Sequence, residues 1–66
     1  SGQAAALASV DGYGWAALGC GQDLEQAKEN ALQVCRERAG CECQVLYVSA
    51  DGEIGRPAAS CARRGG

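Results

Sequence analysis

The stretch "GQDLEQAKENALQVCRERAGCECQVLYVS", Gly21 to Ser49, runs from a helical periodicity straight into a strand periodicity. Reading that change decides the fold class. Asp23 stands where an N-cap belongs, Gln26 three residues on completes a capping box, and Glu25 sits in the positive first turn. Leu24, Ala27, Ala31, Val34 and Cys35 recur at spacings of three and four and form one apolar stripe, while Lys28, Glu29 and Gln33 face water. Arg36 and Arg38 suit the negative end, and Gly40 can take the left-handed cap. The spacing predicts a helix from about Asp23 to Ala39. Beyond it the pattern alternates: Cys41, Cys43, Val45 and Tyr47 point one way, and Glu42, Gln44, Leu46 and Val48 the other. "ADGEIG" then breaks the strand.

Working outward from this unit, Ala4 to Val10 reads as a small-residue strand. Asp11-Gly12 reads as a hairpin turn into a second strand, "YGWAALG". Pro57 opens a last segment, "PAASCAR", which reads as an edge strand carrying Cys61. The expected fold is α+β: one helix on a three- or four-stranded antiparallel sheet, in the order β-β-α-β-(β), forming a single small domain over residues 1–62. Residues 63–66 read as a flexible tail.

The chain has 66 residues, and its apolar fraction of 47% is rich in alanine, with no Phe, no Met, one Trp and two Tyr. A domain of this size buries only about 60% of the surface its unfolded chain exposes. Such a core is thin and needs disulfides, metal or oligomerisation. Five cysteines supply the first of these and point to an oxidising compartment, secreted or periplasmic. Cys35 closes the helix stripe and Cys43 stands on the core side of the next strand, so a Cys35–Cys43 bridge would tie helix to sheet, with Cys41 as a competitor. Cys20 would reach Cys61 if the C-terminal segment returns beside the second strand, leaving Cys41 as the odd thiol and opening a route to a linked dimer. Four paired cysteines allow three connectivities, and spacing does not choose among them.

Metal is the competing use of the cysteines. Structural zinc wants two close ligand pairs, whereas this chain has no histidine and one close pair, Cys41-x-Cys43. A thiol-redox or metal-binding protein using Cys41 and Cys43 is therefore the alternative reading, and no cofactor or metal is expected on the first one. Asp51-Gly52-Glu53 lacks the ligand spacing of an EF-hand and reads as a turn.

The order of motifs, "GYGWAALG", "LEQAKENALQVC", "CQVLYV" and "SCA", resembles a bacterial family numbered 4189 among the domains of unknown function, over Ala4 to Ala62. The resemblance implies a small exported domain with a helix packed on an antiparallel sheet, and no assigned reaction. This chain departs from that pattern in carrying Cys20, in placing Cys41 beside Cys43, and in the longer loop "SADGEIGRPAA".

Charge narrows the partner class. A net charge of −2 gives no basic footprint for nucleic acid. The longest apolar stretch, Ala4 to Val10, falls far short of the ~20 residues of a membrane span. No signal peptide is recognisable, so an exported form would have lost its leader. Without histidine or a paired base, no cysteine is set up as a nucleophile, and the expectation is a non-enzymatic module that binds another protein. Candidate contacts are Tyr13 and Trp15, as aromatic anchors, and Asp51, Glu53 and Arg56 in the loop that follows the third strand.

Overall fold

The computed structural model describes residues 3–10, 14–53 and 61. The elements are β1 (Ala4–Ser9), β2 (Ala17–Gly21), α1 (Leu24–Ala39) and β3 (Gln44–Ser49). They form an α+β fold in which α1 packs on a three-stranded antiparallel sheet of order β2-β1-β3. The neighbours of Cys61 that would complete a fourth strand, and residues 63–66, lie outside the described residues.

The helix ends follow from local chemistry. Asp23 Oδ1 accepts from the Gln26 amide at 2.8 Å, and Gln26 Oε1 accepts at 2.8 Å from the Gln22 amide, one residue before the cap. Gly40, at φ 73°, donates its N–H to the Arg36 carbonyl at 2.7 Å and closes the C-terminus. The stripe is narrower than the spacing suggests. Ala27, Ala31 and Cys35 are buried, whereas Leu24 is 37% exposed, because it lies in the first turn, ahead of the point where Ala27 meets the sheet.

Two strand boundaries move inward from the expected ones. β1 and β2 are antiparallel neighbours, but Ala8 pairs with Ala17; a two-residue turn at Asp11-Gly12 would have set Ala8 opposite Trp15. The observed pairing therefore does not fit the two-residue turn, and the Ser9 hydroxyl donates to the Trp15 carbonyl just before β2. β3 begins at Gln44 instead of Cys41. Residues 41–43 serve the return from the helix end, where Cys43 is bonded to Cys35.

The core is built from the smallest apolar side chains. On the helix side Ala4, Ala6, Ala8 and Ala17 meet Ala27, Ala31 and Cys35, with Val10, Trp15, Leu32, Val34 and Cys43 around the rim. Among the described residues nothing larger than Cys35 is fully buried. Such small contacts bring the helix close: a Cβ on Gly19 would lie 2.5 Å from Ala31 Cα and 2.6 Å from the Ala27 carbonyl oxygen. Ala31 has no exposed surface, so Ala31→Phe should overpack this contact and cost about 1–3 kcal/mol or more. Thermal stability unchanged in that variant would rule out the contact.

The opposite face carries Ala5, Leu7, Leu18 and Cys20, with Cys61 packed behind them. The helix lies over β2 and β1 more than over β3. Its side chains also fasten the β2 end of the sheet, where Asn30 Nδ2 donates to the Cys20 carbonyl at 2.6 Å.

Candidate functional site

The cysteines are joined as Cys35–Cys43, with Cα atoms 6.2 Å apart, and Cys20–Cys61, with Cα atoms 5.9 Å apart. Cys41 is the free thiol and is exposed. Each bridge has a distinct job. Cys35–Cys43 ties the last turns of α1 to the approach to β3. Cys20–Cys61 pins position 61 against the outer face of the sheet, where the Cys61 amide donates to the Gly52 carbonyl at 2.6 Å. Among the described residues no group of three or more Cys, Asp, Glu or His side chains is placed to hold a metal ion. No helix among them is long and apolar enough to cross a membrane.

Of the candidate contact residues, Trp15, Asp51 and Glu53 fall among the described residues. Trp15 is partly buried and packs against the helix-side core, so it acts first as a core residue. Tyr13 and Arg56 lie outside the described residues. Asp51 and Glu53 are exposed in the turn after β3, where Asp51 Oδ1 accepts from the Ser49 hydroxyl and, at 3.0 Å, from the Glu53 amide. The Ser49 bond first, and the Glu53 amide second, hold the Asp51 carboxyl below its ordinary pKa. Because the folded value is depressed, the associated stability is present above the ordinary aspartate pKa and is lost as pH falls through the folded value. Ser49→Ala should raise the Asp51 titration midpoint followed by NMR. An unmoved midpoint would show that the hydroxyl is not the cause.

An open groove of about 410 Å³ is lined by Ser9, Val10, Glu42, Cys43 and Gln44. Its hydroxyl is committed, since Ser9 donates to the Trp15 carbonyl, and its sulfur is bridged to Cys35. The groove therefore offers one carboxylate, Glu42, and an amide.

The surface that stands out is β3. Leu46 is 56% exposed, Tyr47 53% and Val48 37%, in a chain with few large apolar residues to spend. Register explains the exposure. Leu7 pairs with Tyr47 but Ala8 pairs with Val45, so Leu46 is an extra residue in a β-bulge. Paired residues share a face of the sheet. Val45 and Val48 therefore lie on the helix side with Ala8 and Ala6, while Tyr47 lies on the outer side with Leu7. This corrects the expected alternation, which put Tyr47 on the face of Val45. A bulge has no signature in a run of alternating apolar residues, so sequence reasoning ranked the following loop above this strand. The helix lies over β2 and β1 more than over β3, so among the described elements β3 has the least cover. It is also an edge strand.

Comparison with protein families, with curated proteins and with solved structures finds no match to this chain, so the likeness to the family numbered 4189 rests on the short strings quoted above.

Proposed function

We propose that this chain is an exported, disulfide-stapled interaction module that binds another protein, and that β3 is its docking strand. The observation that carries the reading is the exposure of Leu46, Tyr47 and Val48 in succession along an uncharged edge strand, Tyr47 on its outer side and Val48 on its helix side. An exposed, uncharged edge strand bearing large apolar side chains is a ready template for pairing with another chain. Large side chains that reach into a partner's pocket dominate binding energies, with tyrosine among the favoured anchors. An open edge adds backbone donors and acceptors that an extended segment of a partner can pair with. The two intramolecular disulfides are compatible with an oxidising compartment. An inhibitor, an effector or an accessory domain would each use the scaffold in this way, and the resemblance to a family of small exported bacterial domains agrees with export.

The test is a pair of proteins, the parent and a Leu46→Lys, Tyr47→Lys variant, incubated with an envelope fraction from the native source. The parent should retain a protein that the variant loses, with both melting alike because both side chains are more than half exposed. Equal retention by the two proteins would refute β3 as the docking strand.

The second reading, thiol exchange or metal binding through Cys41 and Cys43, draws on the exposed Cys41 thiol two residues from a bridged cysteine. Counting thiols separates the two. An interaction module should titrate with one free thiol per monomer, at Cys41, or none in a linked dimer. Three or more would return the C-E-C pair to metal or redox chemistry.

A further inference from the structure

We infer that β3 pairs with β3 of a second copy of this chain, antiparallel across a two-fold axis between Leu46 and Tyr47, joining two three-stranded sheets into one of six strands. The inference rests on the proposal that β3 is a docking strand and names a second copy as what occupies it when no other partner is bound.

The pattern of β3 is the first support. Read from either end, Gln44–Ser49 runs polar, valine, large apolar, large apolar, valine, polar. An isologous interface requires this kind of self-complementarity, since residue i meets residue j and j meets i. Pairing about the centre sets Gln44 against Ser49 and Val45 against Val48.

The bulge supplies the second. Residues opposed across an antiparallel pair must lie on the same face. In an unbulged strand, positions three or five apart lie on opposite faces, so no two-fold pairing about the Leu46–Tyr47 midpoint is possible. The extra residue reverses that parity. Val45 and Val48 both share the helix side, with Ala8 and Ala6. Gln44 and Ser49 both share the outer side, with Ser9 and Ala5. The irregularity that exposes Leu46 is thus the same one that makes the strand match its own copy, and at the axis it brings Leu46 beside the partner's Tyr47.

The third support is the difference between the two edges of the sheet. Helix side chains fasten the β2 end of the sheet, through Asn30 to the Cys20 carbonyl and Gln26 to the Gln22 amide, whereas β3 carries no charge to deter pairing. A core in which no described residue larger than Cys35 is fully buried also has reason to enlarge itself by association. Beyond the strand ends, Glu42 falls opposite the partner's Asp51. Both are exposed acids, so added salt should tighten the pair by screening them.

The experiment uses Cys41→Ser protein, which removes disulfide-linked dimers. Sedimentation from micromolar to millimolar concentration should show a reversible dimer, with weight-average mass rising with salt. Tyr47→Lys should remove the dimer while leaving the melt unchanged at micromolar concentration, below the range in which the dimer forms. Register is read by mixing two chains, one Gln44→Cys and one Ser49→Cys. The mixture should oxidise to a crosslinked heterodimer faster than either chain links to itself. A monomer at every concentration, a dimer that persists in Tyr47→Lys, or self-linking as fast as hetero-linking would overturn the inference. Loss of the dimer inference leaves β3 as a docking strand so long as the envelope-fraction protein is retained by the parent and lost by the Leu46→Lys, Tyr47→Lys variant.

Discussion

Gly19→Ala should lower stability by about 3 kcal/mol or more, the upper end of what overpacking costs, and leave the domain largely unfolded. The new methyl would stand 2.5 Å from Ala31 Cα and 2.6 Å from the Ala27 carbonyl oxygen, and closer still to the Ala31 nitrogen. These are backbone atoms in the middle of a helix, and no rotamer change moves them aside. Relief requires lifting α1 from β2, which separates Ala27 and Ala31 from the alanines they cover. A domain of this size holds only about 3–5 kcal/mol from its core, so the loss is comparable with the whole. Gly14→Ala is the control: nothing lies within 4 Å of its added carbon, and its effect should stay within about 0.5 kcal/mol. Chemical denaturation of the two variants checks this. If Gly19→Ala matched Gly14→Ala, α1 would not rest on β2 as described.

Removing the Cys20–Cys61 bridge, by Cys20→Ala with Cys61→Ala, should be as severe. The bridge spans 41 residues of sequence, and constraining a loop of that length in the unfolded chain is worth about 4 kcal/mol. Cys35–Cys43, spanning 8 residues, is worth about 2.5 kcal/mol on the same reasoning. The longer bridge also holds Cys61 behind Ala5, so its loss uncovers the outer face of the sheet as well. Circular dichroism of the double variant at neutral pH should show loss of the cooperative melt. A melt within a few degrees of the parent would mean that the alanine core is sufficient without this staple.

Much of the fold was legible in the chain. The Asp23 cap, the apolar recurrence through Ala27, Ala31 and Cys35, and Gly40 marked the helix because each acts on neighbours within a turn or two. The alternation after Gly40 identified β3 as a strand, and with the helix and the first two strands it identified the α+β class. The two bridges were legible as candidates, between a helix end and the next strand and between the second strand and the C-terminal segment, and the structure has that connectivity out of the three that spacing allowed.

What the chain alone determined was therefore local: where a helix begins and ends, which segments are extended, and that a core of alanines needs staples. Only the tertiary structure decided the register between strands, and with it the bulge at Leu46, the shift of β2 to Ala17, and the turning of Tyr47 to the face opposite Val45. Register depends on how three strands fit together under a helix that rests against Gly19, a contact between residues distant in sequence. A one-residue slip reverses the facing of everything beyond it, and the residues that slip in β3 are all apolar, so no change of residue type records it. The exposed strand owes its exposure to that fit and to the helix lying over its neighbours.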